Sequence, residues 1–152
     1  MEIIRAESSD LKTVLRIVRT TIKNIYPHYY PKGAVDYFLA HHTPEKIIVD
    51  IADEKVSIAV HEGKAVGTVS VSNDEIYRLF VLPEHQRKGY GSELLSHAES
   101  KVAERFGTAR LDASLPAKRL YARKGYIVIS TNDIETENGD HLCYDVMLKR
   151  VN

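Results

Sequence analysis

Between Glu75 and Phe106 the hydrophobic period changes from two to 3.6 across a segment holding one proline and two glycines, and no other feature restricts the fold as much. Ile76 to Leu82 reads as a strand, which Pro83 ends. Leu94, Leu95, Ala98, Val102 and Phe106 then fall on one face of a long helix, with Glu93, His97, Glu99, Lys101 and Glu104 expected outward. A strand that turns directly into an amphipathic helix requires a layered fold, because the apolar stripe of the helix has to pack back on the sheet.

The rest of the chain supplies the other layers. Ile3 and Ile4 open a short strand, and Leu11, Val14, Leu15, Val18, Ile22 and Ile25 make one helical stripe. Val35, Phe38, Leu39 and His42 predict a second helix after a Tyr-rich connector bounded by Pro27 and Pro31, and Thr43-Pro44 reads as the start of a third, through about Ile51. Val56 to Val60, Ala65 to Val71 and Ile76 to Leu82 form an antiparallel meander, with a turn at Glu62-Gly63-Lys64. A strand at Arg110 to Ala113, a helix around Ala117 to Arg123, and strands near Tyr126 to Ser130 and Leu142 to Leu148 follow, the last two joined by a hairpin at Glu137-Asn138-Gly139-Asp140. The expectation is an α+β fold of mixed α/β layers, in one domain over residues 1–152.

Composition removes several classes of function. Lysine and arginine total 21 against 21 aspartate and glutamate, which gives no electrostatic reason to expect nucleic acid or a membrane as partner. Cys143 is the one cysteine, read as a small buried hydrophobe, and it excludes an intramolecular disulfide framework. With no signal-like start and no apolar run long enough to span a bilayer, a cytoplasmic protein is expected. The adjacent His41 and His42 diverge on a helix, and no metal-ligand spacing is present, so no metal is expected.

The strand-to-helix junction carries the chemistry. Gly89 and Gly91 let the backbone approach a ligand, the first amides of the helix lack intrahelical partners, and the helix dipole favours negative charge there. Arg87 and Lys88 add cations. These properties describe a pyrophosphate cradle, although a glycine-rich turn with solvated cations satisfies the same letters. No Gly-x-Gly-x-x-Gly follows the first strand, and Gly63-Lys64-Ala65 lacks the hydroxyl and upstream glycine of a nucleotide-hydrolysing loop.

Gln86-Arg87-Lys88-Gly89-Tyr90-Gly91 resembles the Q/R-x-x-G-x-G/A acetyl-CoA loop of the GNAT N-acetyltransferase superfamily. Ala117 to Tyr126 resembles the family's A-x-x-L-Y-x-x-x-G-F segment. The resemblance implies a mostly antiparallel sheet of six or seven strands flanked by four or five helices, with acetyl-CoA as acyl donor. It further implies that the backbone of Leu79, Phe80 and Val81 binds the pantetheine arm where the strand splays from its neighbour. The amides from Gln86 to Ser92, through Arg87, Lys88, Gly89, Tyr90 and Gly91, would hold the pyrophosphate. Ser114 stands where many members have asparagine, and the resemblance counts it among the cofactor-binding residues, beside the pantetheine.

Acyl transfer to a primary amine calls for proton transfers on either side of that strand. Period-two alternation places Glu75 on the face of Tyr77, Leu79 and Val81, at a position resembling the glutamate base of histone-type members, and Tyr121 matches the family tyrosine near the CoA sulfur. A solvated strand-end carboxylate and a core tyrosine are the alternative roles. Tyr26, Tyr29, Tyr30 and Tyr37 either pack the N-terminal helices or wall an acceptor site. The acceptor is expected to be a small-molecule or peptide amine, and the sequence leaves a homodimer open. A catalytically silent CoA-binding module is the competing reading. A toxin-like transferase acting on charged tRNA is disfavoured by the balanced charge.

Overall fold

The computed structural model describes residues 1–152. Strand β1 (Glu2–Arg5) leads into helices α1 (Leu11–Ile25), α2 (Lys32–His41) and α3 (Pro44–Ala52), followed by strands β2 (Val56–His61), β3 (Lys64–Ser72) and β4 (Glu75–Val81). Helix α4 (Tyr90–Ala103), strand β5 (Thr108–Ala113), helix α5 (Lys118–Arg123) and strands β6 (Ile127–Glu135) and β7 (His141–Arg150) complete the chain. The seven strands form one sheet in the order β1-β2-β3-β4-β5-β7-β6, antiparallel except where β4 meets β5. None of the helices is long and apolar enough to cross a membrane.

Local chemistry accounts for the boundaries. Thr43 caps α3 by accepting from the Lys46 amide at 3.3 Å, with Pro44 in the first turn. Glu62 and Gly63 both take positive φ, which suits the two-residue turn that joins β2 to β3. The expected hairpin at residues 137–140 is present, and it also docks on another layer: the Asp140 carboxylate accepts from the Gly33 amide in the first turn of α2 at 2.8 Å.

Two apolar layers cover the faces of the sheet. Val14, Ile17, Val18 and Ile22 of α1 pack with Ile47, Ile58, Phe80 and Leu82 on one face, while Leu94, Leu95, Ala98 and Val102 of α4 pack with Val66, Ile76, Leu111 and Met147 on the other. Glu99, expected outward on α4, instead accepts from the Tyr126 hydroxyl at 2.8 Å and the Lys149 ammonium at 3.0 Å. A carboxylate with two donors is tolerated at the edge of a core. Cys143 is exposed rather than buried, because the alternation of β7 turns Leu142 inward and Cys143 out.

Candidate active site

Strand β4 is where the sheet opens. It shares one register pair with β5, Glu75 with Arg110, next to which the Arg110 amide donates to the Asp74 carbonyl at 2.8 Å. Beyond that pair the two strands diverge, and a cavity of about 760 Å³ is lined by both of them together with α2, α3 and α5.

The strand also changes phase in the opening. Its register with β3 slips between Thr68 and Ser70, so that Arg78 and Leu79 together oppose Val69, and Arg78 takes φ 51°. This β-bulge breaks the simple alternation expected from the sequence. Glu75 does not share a face with Leu79 and Val81: those two pack with the α4 layer, whereas Phe80 turns into the α1 layer. A non-glycine residue in the left-handed region costs about 1–2 kcal/mol. Arg78 is fixed there by side-chain bonds, its Nη1 lying 2.8 Å from Asp50 Oδ2 and its Nε donating to His42 Nδ1 at 3.1 Å. The Arg78 side chain is only 4% exposed, so this pair works in a desolvated setting. Burial, with Arg78 beside it, pushes the His42 pKa down to about 3 and leaves the ring neutral, as an acceptor for Arg78 must be.

Each residue singled out from the sequence has a definite place. Glu75 lies at the closed end of the opening, with Oε2 2.8 Å from Arg110 Nη2. Tyr121 stands on α5 against the cavity, 6% exposed, and its hydroxyl has no hydrogen-bond partner in the protein. Burial, reinforced by nearby Tyr26, raises its pKa above the ordinary phenol value, so the hydroxyl keeps its proton. Ser114 lines the cavity from the end of β5 and accepts from the Tyr26 hydroxyl at 3.2 Å. Gln86 turns back to donate from Nε2 to the Val81 carbonyl at 3.0 Å, a carbonyl that also takes the Thr21 hydroxyl at 3.3 Å.

The segment after β4 has the properties of an anion site. Gly89 adopts φ 88°, and a Cβ added there would meet nothing within 4 Å. The amides of Gly89, Tyr90, Gly91 and Ser92 find no acceptor in the protein; the first bond of α4 runs from the Glu93 amide to the Gly89 carbonyl at 3.1 Å. Four convergent donors at a helix N-terminus, beside the exposed Arg87 and Lys88, fit a diphosphate.

The description "Acetyltransferase (GNAT) domain" belongs to the family model that matches residues 26–147. The chain belongs to the GNAT acetyltransferase family. It is 28% identical over 118 residues to an uncharacterized N-acetyltransferase of Archaeoglobus fulgidus, covering 69% of this chain and 76% of the relative. The same fold is seen in the GCN5-related N-acetyltransferase of Rhodopseudomonas palustris, at a TM-score of 0.89 and 22% identity, covering 98% of this chain and 94% of that one. It is seen again in the PaiA N-acetyltransferase of Thermoplasma acidophilum in complex with coenzyme A, at a TM-score of 0.76 and 21% identity, covering 98% of both chains.

In this GNAT protein the N-terminal tyrosines divide by role. Tyr26 and Tyr30 are buried, with Tyr26 edge-on to Phe38 at 4.7 Å between ring centroids. The Tyr30 hydroxyl donates to the Cys143 carbonyl at 3.0 Å and accepts from the Leu115 amide at 2.8 Å, tying β7 to the loop before α5. Tyr29 is exposed, while Tyr37 stacks on His41 and lines the cavity. Sequence reasoning missed the group of Arg78, Asp50 and His42. Its one trace was a charged residue, Arg78, in mid-strand, followed by an unbroken apolar run from Leu79 to Leu82 where alternation would be expected.

Proposed function

We propose that this protein transfers the acetyl group of acetyl-CoA to a primary amine by direct attack, within a single unit over residues 1–152. The observation that carries the reading is the set of four unpartnered amides from Gly89 to Ser92, at the start of the helix that follows β4. Acetyl-CoA supplies an activated acetyl thioester. In this reading the loop from Gln86 to Ser92 holds the pyrophosphate, and the backbone of Leu79, Phe80 and Val81 holds the pantetheine arm. The Val81 carbonyl is already taken by Gln86 and Thr21, so the contacts there fall to the remaining backbone groups. Ser114, engaged by Tyr26, shapes the wall beside them.

The chemistry left to side chains is proton handling. The acceptor nitrogen must be neutral to form its bond to the acetyl carbon, and it sheds a further proton as the carbon–sulfur bond breaks. Glu75 takes up that proton through water, with Oε2 held by Arg110 and Oε1 unengaged. Tyr121 donates a hydrogen bond to the departing sulfur. A departing thiolate whose conjugate acid has a pKa of about 8.5 cannot readily take a proton outright from a phenol whose pKa lies above about 10, so stabilisation of the thiolate by a hydrogen bond is the larger effect.

The test is release of free CoA thiol from acetyl-CoA across a panel of amines, with mass spectrometry of the acetylated product. The expected result is thiol release that depends on both amine and enzyme. Tight binding of acetyl-CoA with no amine-dependent release from any acceptor would contradict acyl transfer.

A further inference from the structure

Asp112 is an exposed carboxylate on the cavity side of a strand, held by no other side chain. Aspartate is disfavoured inside strands, yet Asp112 sits in β5 with Val146 opposite it on β7, and it makes no ion pair or hydrogen bond. Leu111 and Ala113 turn into the α4 layer, and Asp112 lines the cavity on the other face. Arg110, two residues before it, is committed to Glu75. Asp112 lies two residues beyond Arg110, on the stretch of β5 that no longer pairs with β4.

The charge balance of the wall points the same way. Glu45, Asp50, Glu75 and Asp112 face Lys46 and Arg78, with Arg110 behind Glu75. Asp50 is answered by Arg78 and Glu75 by Arg110. Glu45 lies in the first turn of α3, where the helix dipole favours it, with Lys46 beside it. His41 and His42 have lowered pKa values and add no positive charge near neutrality. Four carboxylates against three cations leave one net negative charge; Glu45 and Asp112 make no ion pair, and Asp112 shares the cavity with the unpartnered Tyr121 hydroxyl.

We propose that Asp112 is a specificity-determining residue that binds a second cationic centre of the acceptor, so that the preferred substrates are diamines or other amines carrying a further positive charge. This rests on the acetyl-transfer reading. At attack the reacting nitrogen is neutral, and an acceptor that keeps one positive charge elsewhere matches a wall with one surplus negative charge. A plain monoamine leaves Asp112 unanswered, and an acceptor ending in a carboxylate is repelled.

The experiment compares 1,5-diaminopentane, n-pentylamine and 5-aminopentanoate as acceptors, of similar reach and differing in the far end, by thiol release in wild type and in Asp112→Asn. The diamine should show a kcat/KM about tenfold above pentylamine, expressed mainly in KM, with the aminopentanoate slowest. The preference should shrink as salt is raised. In Asp112→Asn the ratio of diamine to pentylamine should fall to about one, while Glu45→Gln should retain it. If Asp112→Asn fails to fold, the wild-type ratio and its salt dependence still decide. Equal kcat/KM for diamine and pentylamine in wild type, or a ratio unmoved by Asp112→Asn, would overturn the assignment and leave acetyl transfer standing. Absence of thiol release with all three amines and the wider panel would overturn both.

Discussion

The two halves of the site are built from different materials. The cradle at Gly89 to Ser92 is made of backbone amides at a helix start, and its side chains matter mainly by staying out of the way. The opposite wall is made of side chains from α2, α3, β4 and β5, held by Arg78 bonding to Asp50 and His42 across three elements. A backbone site needs particular glycines at particular spacings, which leaves a mark in the sequence. A wall assembled from distant residues leaves none, and it can change with the acceptor while the donor site stays the same.

That difference gives unequal sensitivities, and the largest belongs to the cradle. Gly89→Asp should weaken acetyl-CoA binding about 10³-fold by calorimetry, since a like charge about 4 Å from a phosphate costs about 4 kcal/mol at an effective dielectric near 20. Replacing both Arg87 and Lys88 by alanine should cost only about tenfold, as both are exposed and screened. A double alanine variant as impaired as Gly89→Asp would mean that cations, not amides, make the site.

The wall should respond through stability. Arg78→Met leaves Asp50 facing a desolvated gap, and loss of one member of a buried pair costs about 3–5 kcal/mol. Asp50 retains 17% exposure, so the lower end of that range is expected in urea unfolding. A loss under about 1 kcal/mol would show that the bulge holds its shape without this pair.

Tyr121 joins the two halves. Tyr121→Phe keeps the ring and its packing, and should lower kcat about 10²-fold at saturating acetyl-CoA with little change in donor affinity. Wild-type turnover across pH 6 to 10 would make the residue a packing tyrosine and nothing more.

The smallest effect near neutral pH comes from His42. Its pKa is depressed in the folded state to about 3 from an ordinary value of 6.5, so the unfolded chain binds the extra proton as pH falls between those limits. The stability from keeping this ring neutral is fully present above about pH 6.5 and is lost on the way down to about 3. Wild type should therefore lose up to about 1.4 kcal/mol per pH unit more than His42→Gln in that window. Parallel stability curves for the two proteins would show that His42 is not held neutral.

What could be read in advance follows the same division. The element order, the antiparallel meander and the strand-to-helix junction were legible because periodicity and turn residues are local signals. The hairpin at residues 137–140 was legible for the same reason. The phase of β4 was not, since the bulge depends on Arg78 finding Asp50 and His42 across the fold. Cys143 was misjudged because residue type alone does not say which face of an edge-side strand it takes. Asp112 went unremarked for a related reason: one aspartate in a strand is an oddity until the cavity beside it is known.

The central claim is that the amides of Gly89, Tyr90, Gly91 and Ser92 hold the diphosphate of the donor. Amide proton NMR of the protein titrated with CoA tests it most directly. Those four resonances should move downfield and become protected from solvent exchange, ahead of any change at Asp50, Arg78 or His42. Saturating CoA that leaves the four amides unshifted and freely exchanging, while perturbing resonances elsewhere, would contradict the account.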